Sequence, residues 1–331
     1  MKGHLARLFA GLPLSEEQAA EVMGLVMDGD ATPAQIGALL AALALRGESE
    51  DELVGFARVM RERAVPLRSS GALDTCGTGG DGAATFNIST LASLAVAACG
   101  VPVAKHGNRS ASGSCGSADL LESLGLRLEA PVERVQRALD EVGWTFLFAP
   151  AFHAATRHAA GPRRELGVRT AFNLLGPLTN PARPAAQLVG VPRRELTEPL
   201  ARCLGRLGVE RAWVVHGSGL DELSPCGPTR VAALAHGRVD SFELDPRSAG
   251  LEPCRPEDLY APDRQACLAA AREVLAGRRG PARDAVCVNA GAALMVAGRA
   301  ADLRQGAGMA AQALDGGAAA AVLARAREVL S

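Results

Sequence analysis

Lysine is nearly missing from this 331-residue chain: of 35 basic residues only Lys2 and Lys105 are lysines. Isoleucine occurs twice, at Ile36 and Ile88, and asparagine five times, at Asn87, Asn108, Asn173, Asn180 and Asn289. There is no apolar run of the ~18 residues that a membrane-spanning helix needs. Met1 to Arg7 lead into no long apolar core with a cleavage site, so no secretory leader is expected. The eight cysteines form no CxxC pair and the six histidines no HExxH, which disfavours a zinc site or disulfide framework. The cysteines read instead as small buried hydrophobes in a reducing, cytoplasmic compartment. The net charge of −1 lacks the basic excess of a general nucleic-acid binder.

What remains is 48% apolar and 21% charged, the profile of a globular protein with about two domains. The dominance of alanine, glycine and arginine suggests broad compositional drift. A rare residue type in such a chain should persist where its chemistry is hard to replace. Asn87 and Ile88 are adjacent, and Lys105 and Asn108 lie three apart, so this clustering marks a candidate site.

The first 66 residues predict a compact helical unit. Ser15 to Gln18, Thr32 to Gln35 and Ser49 to Glu52 each fit the capping-box pattern, the second with Pro33 at the first helical position. Apolar residues follow at helical spacing: Val22, Met23, Val26 and Met27; Ile36, Leu39, Leu40 and Leu43; Leu53, Phe56 and Met60. Gly29 and Gly47 stand where helix ends are expected.

Beyond Pro66 short apolar runs alternate with glycine-rich turns and Ala/Leu-rich stretches. Residues 188–191, 213–215 and 231–234 read as strands, and 91–99 and 266–275 as helices. The expectation is an α/β chain: a small all-helical N-terminal domain (1–66) beside a larger α/β domain (67–154 and 183–331) with a mainly parallel, helix-flanked sheet. The helix-like stretch within 155–182 is expected to pack back onto the first domain. The Ala/Gly-rich end, 306–325, keeps helical periodicity.

Two loops carry the densest chemistry. Asp74-Thr75-Cys76-Gly77-Thr78-Gly79-Gly80-Asp81-Gly82 follows an apolar run and leads to Thr85-Phe86-Asn87-Ile88-Ser89-Thr90 and a helix. Its glycines let backbone N–H groups converge on an anion, and the helix start adds partial positive charge. It matches neither a Walker A loop nor GxGxxG in register. The second loop delivers Lys105, His106, Asn108 and Arg109 after a strand-like approach, then hydroxyls and glycines to Ser117. Lys105 and Arg109 could neutralise phosphates. Two such loops in one βαβ unit point to a pyrophosphate-bearing ligand.

These loops resemble the two signatures of the anthranilate phosphoribosyltransferase family. The likeness continues through Gly116 to Asp119, Arg163 to Thr170, Phe172 to Pro181, Gly219 to Glu222 and Gly227 to Thr229, so it covers nearly the whole chain. The resemblance implies transfer of a phosphoribosyl group from phosphoribosyl pyrophosphate (PRPP) to the amine of anthranilate, a step of tryptophan biosynthesis. It implies a homodimer formed through the helical part, with no nucleic-acid or membrane partner. By this likeness Gly77, Gly80, Asp81, Thr85, Asn87, Ile88, Ser89, Thr90, Lys105, His106, Gly107, Asn108, Arg109, Ser110, Ala111, Ser112, Gly113 and Ser117 contact PRPP. Ser89, Asp221 and Glu222 hold Mg²⁺, and Gly77, Asn108, Arg163, His106, His153 and Pro177 contact anthranilate. Lys105, Asn108 and Arg163 would carry the catalytic load.

Adjacent carboxylates at a strand end are hard oxygen ligands suited to Mg²⁺ on a pyrophosphate, and an arginine suits the anthranilate carboxylate. Three departures touch the site, one of them Ala154 after His153, where proline is common. Ser112-Gly113-Ser114-Cys115 stands where the family often has a Ser-Ser-Lys-Ser-like run, and Pro162 takes a usual valine place, where it should start or bend a helix. The rival readings are a pyrimidine nucleoside phosphorylase and a non-catalytic nucleic-acid-binding paralogue. The GTGGD loop and the Asp221-Glu222 pair favour the transferase.

Overall fold

The computed structural model describes residues 1–69, 71–110 and 115–331. Four helices open the chain: α1 (Lys2–Phe9), α2 (Glu16–Asp28), α3 (Pro33–Arg46) and α4 (Glu50–Glu62). All three capping boxes form, with Ser15, Thr32 and Ser49 each accepting from the backbone N–H three residues on. Gly29 ends α2 in the left-handed conformation that a side chain would resist.

The α/β part follows as β1 (Leu73–Gly77), α5 (Ile88–Ala98), β2 (Val103–Gly107), α6 (Ser117–Ser123), α7 (Val132–Val142) and β3 (Trp144–Phe148). The chain then leaves the sheet through α8 (Ala149–Phe152), α9 (Arg157–Leu166) and α10 (Ala171–Leu178). It returns as β4 (Ala186–Gly190), α11 (Thr197–Arg206), β5 (Arg211–Gly217), β6 (Thr229–Ala235) and β7 (Arg238–Leu244). The last helices are α12 (Arg264–Leu275), α13 (Pro281–Val296), α14 (Leu303–Asp315) and α15 (Ala318–Leu330).

Among the described residues the strands form one sheet in the order β3-β2-β1-β4-β5-β6-β7. The first five are parallel, and β6 and β7 add antiparallel. The expected strand at 231–234 is therefore real but runs against its neighbour, because a short loop rather than a helix joins it to β5. Alternation along the strands divides the core. Leu188, Val215 and Val231 face one apolar cluster, shared with α5, α13 and the C-terminal helices. Val189, Val214 and Ala232 face the other, shared with α2, α3, α4, α10 and α11.

The stretch 157–178 packs on the opening helices, with Ala159, Phe172 and Leu175 in their cluster. Arg61 of α4 ties these layers from within. It is buried and donates to the carbonyls of Leu178 (2.6 Å) and Leu207 (2.8 Å). Pro162 lies in the interior of α9 rather than at its start, so it removes an intrahelical donor there. α13 and α14 meet at Gly291 and Gly306, the latter at the start of the Ala/Gly-rich end. A Cβ on Gly291 would come within 2.6 Å of the Ala307 nitrogen, so glycine sets this close helix contact. Among the described residues no single helix is long and apolar enough to cross a membrane.

Candidate active site

The strand order reverses between β1 and β4: from β1 the chain builds outward through β2 and β3, then returns to β4 on the other flank. Crevices at such a point, beyond the carboxyl ends of the strands, are where open α/β sheets bind ligands. Gly77 and Gly190 stand opposite each other at these ends. The Thr78 N–H donates to the Gly190 carbonyl (2.9 Å), carrying the pairing one step past β1. The loop after Gly77 then turns through Gly79, Gly80 and Gly82, all at positive φ.

Asp221, in the loop that follows β5, closes this crevice. Its Oδ2 accepts from the Gly79 N–H at 2.8 Å, and its own N–H donates to Asp81 Oδ2 at 3.2 Å. A Cβ on Gly77 would lie 2.3 Å from Asp221 Oδ2, and one on Gly190 only 1.5 Å from the Asp221 carbonyl oxygen. Both glycines are thus required by the approach of one aspartate. Glu222 points the other way: its Oε1 accepts from the Ser89 N–H at the start of α5, at 3.0 Å.

Lys105 enters from β2. It is 2% exposed, and its Nζ donates to the Thr75 carbonyl and lies 3.5 Å from Ser89 Oγ. Its ammonium thus points inward between β1 and α5 rather than standing free in a basic loop. Burial, then repulsion from Glu222 and Asp81, holds the Asp221 carboxyl well above the usual carboxylate range. Burial pushes Glu222 up to about 7, against the opposing pull of Lys105.

A crowded set of carboxylates next to a hydroxyl, Ser89 Oγ, fits a hard divalent cation. Among the described residues no three His, Cys, Asp or Glu side chains form a cage of their own. That suits Mg²⁺, which takes one or two carboxylates and completes its shell with water and phosphate oxygens.

A second group of side chains lies on the β2 side. The His106 ring is 5.3 Å from that of His153. His106 Nδ1 lies 3.0 Å from the Gly176 carbonyl, next to Pro177, and its N–H donates to Asp74 Oδ1. The Nε2 atoms of both histidines are buried without a hydrogen-bond partner. Burial drives both rings toward the neutral form, His106 down to about 3 and His153 down to about 4. Arg163 lies over the Phe172 ring, 4.8 Å from its centroid, and burial lowers its pKa; among the described residues it has no ion-pair partner.

The expected site residues thus divide. Gly77, Gly80, Asp81, Ser89, Lys105, Asp221 and Glu222 are linked by short contacts around the switch point. Gly80 is covered by Arg169, whose Nη2 donates to the Thr78 carbonyl at 3.2 Å. His106, His153 and Pro177 form the second group. Asn87 donates to the Cys115 carbonyl and leaves a buried Oδ1 unpartnered, as does the Thr90 hydroxyl. Thr85 bridges to Tyr260. Gly107 lets Ser117 Oγ approach, which donates to the Asn108 carbonyl. Ser110 donates its N–H to Asp119.

Ile88 is fully buried in the core, and its N–H donates to the Phe86 carbonyl. Arg109 is paired with Asp119 (3.0 Å) and Glu122 (2.9 Å). Ala111, Ser112 and Gly113 lie outside the described residues. Sequence reasoning missed Gly190 and Arg169. Gly190 carried a signal, since a glycine at a strand end often marks close backbone approach. Arg169 lies in the family-like run Arg163 to Thr170, but as one arginine among 33 (35 basic residues less two lysines) its residue type alone does not mark it.

The model of the glycosyl transferase family helical bundle domain matches residues 2–64, and that of the family's a/b domain matches residues 69–320. The anthranilate phosphoribosyltransferase of Moorella thermoacetica is 55% identical over 98% of this chain and 96% of its own length. That of Rhodospirillum rubrum is 53% identical over 98% and 94%. The crystal structure of the enzyme from Thermus thermophilus superposes with a TM-score of 0.93 at 47% identity, covering 99% of both chains. The Saccharomyces cerevisiae enzyme, solved in complex with PRPP and Mg, shares the fold at a TM-score of 0.89 and 24% identity, over 99% of this chain and 97% of its own. A helical bundle joined to an α/β domain, and this identity along the whole length, place the chain in the anthranilate phosphoribosyltransferase family.

Proposed function

We propose that the carboxyl edge of the sheet transfers the phosphoribosyl group of PRPP to the amine of anthranilate, releasing pyrophosphate and N-(5-phosphoribosyl)anthranilate. The observation that carries this reading is the junction at Asp221, where one carboxylate joins the glycine-rich loop of β1 to the loop after β5 at the sheet's switch point. The donor's pyrophosphate suits the N–H groups of the glycine-rich loop and the start of α5. Ser89, Asp221 and Glu222 would hold Mg²⁺, which neutralises the charge that develops on the leaving pyrophosphate. Lys105 keeps this acidic pocket from excess negative charge and holds Ser89 in place. The complex of the yeast relative with PRPP and Mg supports the same pairing of donor and metal.

The acceptor reading rests on Arg163, whose unanswered guanidinium suits a carboxylate, and on the neutral His106 and His153 rings, which suit an uncharged aromatic amine. An aniline nitrogen is already unprotonated at neutral pH, so positioning rather than a strong base supplies the rate. Gly77, Asn108 and Pro177 complete the proposed acceptor contacts.

The remaining assignments follow from the same reading. The helical domain is 1–66 with 155–182, and the α/β domain is 67–154 with 183–331. Two copies meet through the helical domain, where Phe9, Leu12 and Leu45 are exposed (67%, 49% and 90%) beside a groove lined by Leu8, Ala38 and Ala42. Work in the cytoplasm matches a phosphorylated substrate that does not cross membranes. The test of the reaction is loss of anthranilate fluorescence on mixing protein, PRPP and Mg²⁺. Turnover of uracil or thymidine without that loss would transfer the site to nucleoside phosphorolysis.

A further inference from the structure

Eight cysteines without a CxxC pair read as inert packing residues, yet Cys226 and Cys254 meet where the loop after Glu222 packs against the segment after β7. Cys226 lies in the loop between β5 and β6, four residues after Glu222. Cys254 lies in the segment after β7. Their Sγ atoms are 2.9 Å apart, and the Cys254 N–H donates to the Pro225 carbonyl at 3.2 Å, so the two backbones are already paired at this point. Both cysteines are partly exposed, unlike the buried Cys76, Cys203 and Cys287. A covalent sulfur–sulfur bond, about 2.05 Å, needs only a small further approach.

We propose that Cys226 and Cys254 are a reversible oxidation site, forming a disulfide when the protein meets a peroxide. In the first step the Cys226 thiolate attacks a peroxide oxygen. A sulfur–oxygen bond forms, the oxygen–oxygen bond breaks, and the departing hydroxide takes up a proton as water. In the second, Cys254 Sγ attacks the Cys226 sulfenic sulfur. The sulfur–sulfur bond forms, the sulfur–oxygen bond breaks, and the Cys254 proton leaves with the second water. Two thiols lose two electrons and hydrogen peroxide gains them; a dithiol reverses the change. Burial and the neighbouring Cys226 push the Cys254 thiol up to about 12, which casts it as the resolving partner.

The bond would fasten two walls of the crevice together. The loop carrying Cys226 follows directly from Asp221 and Glu222. The segment carrying Cys254 runs on to Tyr260, which bridges Thr85, and to Ala261, which donates to the Ala84 carbonyl (2.8 Å) just past the glycine-rich loop. The two thiols meet whichever substrates the site takes.

The test is non-reducing peptide mapping of folded protein treated with hydrogen peroxide and then alkylated. Trypsin isolates each cysteine, in the peptides 212–230 and 248–264, because Arg255 is followed by Pro256. The expected result is a linked pair of these peptides, lighter by two hydrogen atoms than their sum. It should vanish with dithiothreitol and in both Cys226→Ser and Cys254→Ser. Recovery of the two cysteines as separate alkylated or sulfinic species would overturn the proposal. So would a link that forms only in urea-unfolded protein.

Discussion

The Asn289 carboxamide brackets the backbone of Leu223: its Oδ1 accepts from the Leu223 N–H and its Nδ2 donates to the Leu223 carbonyl, each at 2.9 Å. Leu223 follows Glu222, so a buried amide on α13 holds the loop after β5 that carries the acidic pair. Removing it strands two buried backbone groups. Asn289→Ala is expected to destabilise the fold by about 2–4 kcal/mol, read from urea midpoints. It should also raise the KM for PRPP more than that for anthranilate, which a purely structural role would not do.

Gly190 offers a second test. Gly190→Ala would drive a methyl group into the Asp221 carbonyl and displace the carboxylate that holds Gly79. A loss of about 100-fold in kcat/KM, roughly 2.7 kcal/mol of transition-state stabilisation, is expected from steady-state kinetics. Activity within about twofold of the parent enzyme, in a folded variant, would remove Asp221 from its assigned place.

The neutral histidines predict acid sensitivity. His106 and His153 titrate in the folded protein near 3 and 4, below the ~6.5 of the unfolded chain. The unfolded state therefore binds more protons across this window, and stability falls as pH drops below about 6.5. Between pH 6.5 and 5 each ring costs about 2 kcal/mol. Urea midpoints across this range should fall steeply in the parent protein and less steeply in His153→Asn.

The exposed face of the helical domain predicts its own outcome. Leu45→Glu places a charge on an apolar surface that two copies would bury. Sedimentation should show a dimer for the parent chain and a monomer of unchanged helicity for the variant. A parent chain that sediments as a monomer would contradict the proposed interface.

Much of this architecture could be read from residue patterns. The three capping boxes place α2, α3 and α4 to within a residue, because a cap is a local contact between a side chain and its own helix. Rarity was informative in a subtler way. Lys105 lies beside Ser89 at the switch point and Asn87 stands at the start of α5, but Asn173, Asn180 and Asn289 act as backbone clasps. Asn173 accepts from Thr170 at the start of α10, and Asn180 joins Asp74 to the Ala104 carbonyl. Asparagine persisted because its paired donor and acceptor cannot be replaced by alanine, whether or not a ligand is touched. What stayed illegible depends on contacts far apart in the chain. The neutralisation of Arg109 by Glu122, the cover of Gly80 by Arg169 and the meeting of Cys226 with Cys254 all depend on how the loops come together, which no local pattern records.

The division of labour between the two groups predicts opposite kinetic signatures. Lys105→Ala should weaken use of PRPP, since Ser89 and Glu222 lose their counter-charge. Arg163→Ala should chiefly raise the KM for anthranilate, by about tenfold or more, with the KM for PRPP little changed. Unaltered kinetics in either variant would refute its assignment.

The most direct measurement is the anthranilate fluorescence progress curve with PRPP and Mg²⁺, run for the parent chain and for Asp221→Asn. The parent should consume anthranilate and release pyrophosphate in equal amounts, and the variant should need far more Mg²⁺ for any comparable rate. An unchanged curve for the variant, or no anthranilate consumption by the parent, would contradict a transfer site built around Asp221.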